Sequence, residues 1–225
     1  MKPVSQLFSQ NDRERVADAI GKAELKTSAE IVTVAATASG RYDRAEDIFG
    51  FLVAIVAVVA GWLTCPAFHA QSVWEGSGPS WAGLVPVLIA MIAGFAGGSA
   101  LASQFPVLPL PFIPARELEE ECLRGAQAAF MSSKVRKTAA GTGLMIYISF
   151  YEHRVVALPD DTIAEKLPPE TWQEVCDLIV AGMKSGSPVK ALEDAVIRAG
   201  DILGDILPRE EDDEDELSNE LILLD

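Results

Sequence analysis

Asp160 and Asp161 are adjacent carboxylates in a turn between a β-branched run and a short helical one, with Glu170 a little further along. Three acids so placed could hold a hard cation such as Ca²⁺ or Mg²⁺ through oxygen ligands. The same position also suits an N-cap, where a carboxylate on free helix amides is worth about 1 kcal/mol. Ser39 and Tyr42 follow the first strand, at the sheet end where open α/β folds bind ligands, and are the ligand-edge candidates. Neither has an evident base. His153 falls in a hairpin turn, and the other histidine, His69, lies between two apolar runs, so a Ser–His–Asp arrangement is not expected. Cys65, Cys122 and Cys176 are far apart, with no CxxC and no His/Cys cluster; they read as structural thiols in a reducing compartment. The sequence singles out no catalytic residue.

Charge narrows the partners. The net charge of −15 is concentrated in an unbroken acidic run at residues 210–216. Phosphates would be repelled, so nucleic acid is excluded as a partner. Docking on anionic headgroups through a basic patch is disfavoured for the same reason. Met1-Lys2-Pro3-Val4 continues into a polar amphipathic segment, so no cleaved secretory signal is expected.

Two uncharged apolar runs, residues 48–68 and 81–102, dominate the chain. Roughly 20 helical residues at ~1.5 Å rise cover the ~30 Å hydrocarbon core of a bilayer. Neither run has the polar face of a soluble core helix, so they are expected to form a transmembrane hairpin with an external loop at 69–80. That loop has no Lys or Arg. Arg41 and Arg44 precede the first run, and Arg116, Arg124, Lys134, Arg136 and Lys137 follow the second. Positive-inside bias then puts both termini in the cytoplasm of a cell with this chain in its inner membrane. Ala57 and Gly61 in one span, and Gly94 and Gly98 in the other, are small residues one turn apart that allow close helix approach. Pro86 lies near one end of the second span, where neighbours or water can satisfy the freed carbonyl. No ionisable residue interrupts either run, so the hairpin reads as an anchor and not a transporter.

The flanks are patterned as one soluble domain. Residues 9–26 read as an amphipathic helix with a Ser9/Asp12 capping box, and 30–36 (EIVTVAA) as a strand. The Pro-rich 105–114 cannot be regular helix and is expected to be extended. A helix over 116–137 follows, with Leu118, Cys122, Ala126, Ala129 and Phe130 on one stripe. Gly141-Thr142-Gly143 enters a strand, unlike phosphate loops, which enter helices. Strands at 144–150 and 154–158, a short helix at 162–166, a longer one from Pro168-Pro169 to about Lys184, and a last one from Ser187-Pro188 to Pro208 complete the pattern. The acidic run is expected to be disordered. Its apolar tip, Leu217 with 221–224 (LILL), either orders on a partner or folds back on its own domain. The helix–strand–helix–strand order requires parallel strands joined by a crossover. The expected fold class is therefore α/β: a small three- to four-stranded mixed sheet with covering helices, interrupted by the two-helix hairpin. Its parts are residues 1–47, the hairpin 48–102, a Pro-rich interfacial linker 103–115, residues 116–208, and an acidic disordered tail 209–225.

Thr27-Ser28-Ala29-Glu30-Ile31-Val32-Thr33-Val34 with Ser39-Gly40-Arg41-Tyr42, then Thr142-Gly143-Leu144-Met145-Ile146-Tyr147-Ile148-Ser149 with His153-Arg154-Val155-Val156, and Ile163-Ala164-Glu165-Lys166-Leu167-Pro168 with Thr171-Trp172-Gln173, form a set. Together they resemble the TPM domain family, known from a thylakoid-lumen phosphatase, a photosystem II repair protein and a receptor-accessory membrane protein. The chain is most similar to bacterial membrane-anchored members with a two-span insertion. The resemblance implies a compact α/β sandwich and, in some relatives, a divalent-cation site with acid phosphatase activity at the strand ends. Where many relatives have a Gly-x-Gly turn this chain has Asp160-Asp161-Thr162, and a later Asp is replaced by Pro169-Glu170. The expectation is a non-catalytic binding or assembly module at the membrane, with a cation-dependent acid phosphatase-like hydrolase as the alternative. The expected partners are the lipid bilayer and another membrane protein met through the domain or the acidic tail.

Overall fold

The computed structural model describes residues 2–64, 84–133, 142–210 and 217–225. The chain divides into two compact units. One combines Met1–Gly40 with Arg116–Asp225, and the other is Arg41–Ala115.

The first unit is built on strand propensity and helix capping. Helix α1 (Gln10–Glu24) starts at a complete capping box: Ser9 Oγ accepts from the Asp12 amide at 3.2 Å, and the Asp12 carboxylate accepts from the Ser9 amide at 3.0 Å. Val16, Ala19, Ile20 and Ala23 are its buried stripe, as their spacing requires. Strands β1 (Glu30–Ala36) and β2 (Gly143–Ser149) pair in parallel and are buried along their whole length. Strand β3 (Arg154–Pro159) returns antiparallel on β2, with His153 in the left-handed region (φ 51°) at the reversal. Helix α4 (Ala115–Ser132) packs Cys122, Ala126 and Ala129 against Val32, Val34, Met145 and Tyr147 on one face of the sheet. The other face carries Ile31, Ala35, Leu144, Ile146 and Ile148. It is covered by α1, α6 (Gln173–Lys184) and α7 (Pro188–Ile206). With helices on both faces, the parallel pair can be apolar throughout, which is why EIVTVAA and GLMIYIS lack strict alternation.

Several elements differ from expectation. The apolar tip is a fourth strand, β4 (Ile222–Leu224), paired in parallel with β1, giving the order β3-β2-β1-β4. Leu221 is buried and Leu217 packs on the α4 face. The segment 209–225 is therefore not a free tail throughout: its end completes the sheet, and 211–216 lie outside the described residues. The helix expected from Pro168-Pro169 is split into a 3₁₀ turn (Pro169–Trp172) and α6, since paired prolines favour a tight first turn. The Pro-rich segment is not extended. It turns at Phe105 and forms a 3₁₀ turn (Leu110–Phe112), with Phe112 6.4 Å from Phe49. Lys134, Arg136, Lys137 and Gly141 lie outside the described residues.

The second unit is a pair of helices, α2 (Asp43–Thr64) and α3 (Leu84–Gln104), both long and apolar enough to cross a membrane. Helix α2 begins before residue 48, drawing Asp43 and Glu46 into its first turn, where acids complement the helix dipole. Arg41–Ala115 groups with the helices, so 41–47 and 103–115 belong to this unit and not to the α/β unit or to a separate linker. Pro86 falls in the first described turn of α3. The loop 69–80, with His69, lies outside the described residues.

Small residues set the helix contact. A Cβ on Gly94 would lie 2.7 Å from the Ala54 Cα, and one on Gly98 would lie 2.8 Å from the Gly50 Cα, so the helices run antiparallel in near backbone contact. Gly94 and Gly98 act as their spacing suggests. On α2 the contact takes in Gly50 and Ala54 as well as Ala57, whose Cβ lies 3.0 Å from a Cβ built on Gly94; Gly61 is half-buried. The large side chains point away from the seam: Leu63 is 77% exposed, Val56 66% and Ile92 65%. A core helix of a soluble domain would bury these groups.

Candidate functional site at the strand ends

Parallel register fixes where polar groups can meet. Ala36 of β1 lies beside Ser149 of β2, so the chain after β1 passes over the carboxyl end of both strands. Period-two alternation places Tyr147 and Ser149 on the α4 face of β2. Ser39 arrives above them. Its Oγ donates to Ser149 Oγ at 2.8 Å and lies 3.0 Å from the Tyr147 hydroxyl. A serine hydroxyl has one proton, so Tyr147 is the donor to Ser39. Ser149 Oγ in turn donates to the Glu152 carboxylate. The hydroxyl protons thus point one way, from Tyr147 through Ser39 and Ser149 to Glu152.

Glu152 closes the network. It is only 4% exposed, and its Oε1 also accepts from the Ser39 amide at 2.9 Å and the Gly40 amide at 3.2 Å. A buried carboxylate is tolerable when several donors replace its water, and here they do. Helix α4 comes close enough because residue 125 is glycine. A Cβ there would sit 2.7 Å from the Tyr147 hydroxyl and 2.9 Å from the Ser39 Cβ. Burial, then the Glu152 charge, pushes the Cys122 thiol up to about 12, with a Ser39 hydrogen bond opposing. Burial likewise raises the Tyr147 phenol. Cys176 is pushed up to about 11 by burial, against a backbone hydrogen bond from Ala157 on the outer edge of β3. Both thiols are held in the protonated form at neutral pH, in which a thiol is a poor nucleophile.

The arrangement holds backbone; it does not activate a nucleophile. The Ser39 hydroxyl is half-buried and already committed, and Glu152 accepts from the Ser39 and Gly40 amides and the Ser149 hydroxyl. Of the ligand-edge pair, Ser39 is in the network, whereas Tyr42 belongs to the other unit, where its carbonyl accepts from the Ala45 and Glu46 amides at the start of α2.

The cation candidates do not assemble. Asp160 is the N-cap of helix α5 (Asp161–Lys166), its Oδ1 accepting from the Asp161 amide at 2.8 Å. It is buried, whereas Asp161 and Glu170 are exposed. Among the described residues no group of three or more His, Cys, Asp or Glu is placed to hold a metal ion. Capping and cation binding were both open from the sequence; the geometry is that of the cap. His153 is exposed at the β2–β3 reversal, as its turn position suggests.

Glu152 was missed because an acid in a turn reads as solvated. Its signal was indirect: Ser39 and Ser149 both fall at strand ends that parallel pairing brings together.

Among solved structures, the chain is similar to the NMR structure of the BA42 protein from the psychrophilic bacterium Bizionia argentinensis sp. nov. The TM-score is 0.55 at 17% identity, covering 96% of this chain and 94% of that one. At that identity the likeness is one of fold. No family model matches the chain, and no curated protein matches it.

Proposed function

We propose that the chain is an integral protein of the bacterial inner membrane. In this reading a TPM-like α/β domain, with both termini cytoplasmic, is anchored by a two-helix transmembrane hairpin and acts as a non-catalytic binding or assembly module. The observation that carries it is the place and character of the helix pair. It interrupts the chain between β1 and α4, and its large apolar side chains face outward all round. In water that surface would be an aggregation site, whereas in lipid it is the natural solvent. The Ser103 hydroxyl on the Glu46 carboxylate (2.6 Å) closes the pair at the end near the acids, consistent with an interfacial depth.

The non-catalytic part rests on the strand-end groups. Glu152 and Ser39 are occupied in holding the exit of β1, and Asp160 in capping α5. A cation-dependent phosphatase would need carboxylates free to ligate and a base free to act.

Three measurements test this. The protein should stay in the pellet after alkaline carbonate extraction of membranes, and release into the supernatant would end the anchor reading. Reporter fusions at 69–80 and at the C-terminus should report opposite sides. For the purified protein, chelator-sensitive turnover of p-nitrophenyl phosphate with Ca²⁺ or Mg²⁺ at acidic pH would overturn the non-catalytic assignment.

A further inference from the structure

The α/β unit contains a cavity of about 540 Å³ between the β2–β3 reversal and the α6–α7 turn. It lies wholly within one unit, mainly on the face of the sheet opposite the Glu152 network, and Ser149 of that network also borders it. Its volume falls in the range of about 300–1,000 Å³ typical of small-molecule sites. Phe150, Val155, Val180, Met183 and Pro188 give it an apolar lining. Phe150 is fixed from behind by an edge-to-face contact with Phe8, ring centroids 5.9 Å apart. Phe150, Val155 and Met183 pack on the core yet stay only partly buried, so the core ends here in an unfilled recess.

The charged lining is of one sign. His153 and Lys184 border the cavity, and none of its lining residues is acidic. Arg154 also lines it but is paired with Ser149, so its side chain belongs to the α4 face. Lys184, in the last turn of α6, has no carboxylate within salt-bridge distance among the described residues. In a chain with a net charge of −15, an acid-free apolar recess beside an unpaired ammonium is a local exception to the field. A cationic guest would meet Lys184, and a wholly apolar one would leave the charge unused.

We propose that this cavity binds a single-chain aliphatic anion, the chain lying against Phe150, Val180 and Met183 and the anionic head at Lys184 and His153. A free fatty acid and a lysophospholipid with a phosphate head share this chemistry. The probe is a diazirine-bearing dodecanoate, photolysed with the full chain in native membranes, with labelled peptides identified by mass spectrometry. Label is expected on the peptides holding residues 148–155 and 180–188. Excess dodecanoate or lauroyl lysophosphatidate should displace it, and whichever does so at lower concentration identifies the source. Dodecanol should not. Lys184→Glu, an exposed change that leaves the fold alone, should weaken labelling about fivefold. Val180→Trp, which fills the recess, should abolish it. Label on α2 and α3 reports simple partition into lipid and serves as the internal control. Label confined to those helices, labelling unaffected by Lys184→Glu, or displacement by dodecanol as effective as by dodecanoate would each overturn the proposal.

Discussion

Glu152 accepts the amides of Ser39 and Gly40, the last two residues before the chain leaves the α/β unit. Hydrogen bonds to a charged acceptor are worth about 1.5–3 kcal/mol each, and orphaned buried donors cost about 1–3. Glu152→Ala should therefore destabilise the unit by about 3 kcal/mol or more, whereas Glu152→Gln, which keeps a carbonyl acceptor, should cost roughly half as much. Thermal unfolding of the detergent-solubilised protein reads both; equal melting points for wild type and Glu152→Ala would show that the carboxylate holds nothing. Gly125 offers a test by sign. In an exposed helix Gly→Ala gains about 1 kcal/mol of propensity. Here the new Cβ meets Tyr147 and Ser39 at under 3 Å, so Gly125→Ala should instead lose about 1–3 kcal/mol. The sequence showed Ser39 at a strand end but not its partners. Tyr147, Ser149 and Glu152 meet it only through the β1–β2 register, which no local pattern encodes.

Elements with strong local signals were readable in advance. The α1 box, strand β1 and the β2–β3 reversal all appear within a residue or so of expectation, because capping chemistry and β-branching act within a few residues. Strand β4 was not readable as a strand. Three residues after an acidic run form a strand only because β1 offers a free edge, and the Thr37 amide donating to the Leu224 carbonyl is a long-range contact. The hydrogen bonds of Ser9 hold the Asp12 carboxyl below its usual 3.8, aided by Arg15. A carboxylate with a lowered folded pKa adds stability above its unfolded value and loses it as pH falls through the folded one. Ser9→Ala should cost about 1 kcal/mol near neutrality and flatten the stability loss below about pH 4. Asp225, lowered by Ser5, titrates in the same window and is left intact as the reference. A pH profile parallel to wild type would show that the box is not what lowers Asp12. In the helix pair, Gly98→Leu drives a side chain into Gly50 and Val53. The helices should separate, read as a lower melting temperature of the detergent-solubilised protein. Leu63→Ala, at a position 77% exposed, should leave the helix pairing intact.

At the scale of the whole molecule, one α/β unit is assembled from both ends of the chain around an inserted helix pair. The composition made the pair legible, since uncharged runs of that length stand out from any soluble pattern. Where the insertion departs from the domain was less legible: the boundary lies at Gly40 and Arg116, closer to the sheet than the apolar runs themselves. This placement leads to the most demanding prediction. A Cβ on Gly40 would sit 2.7 Å from the Glu121 side chain, so the end of the first segment lies beside the second turn of α4. Running back along the helix from Glu121 to Arg116 covers only about 8 Å at ~1.5 Å per residue. A flexible Gly/Ser linker of about eight residues spans about 16 Å on average, enough to rejoin the two segments. Replacing 41–115 with such a linker should give a water-soluble protein that melts cooperatively. Glu152→Ala should still lower its melting point, by about 2–4 °C per kcal/mol. If the shortened chain is soluble only as aggregate, or Glu152→Ala no longer matters in it, then the helix pair is part of the domain's own fold and not an insertion into it.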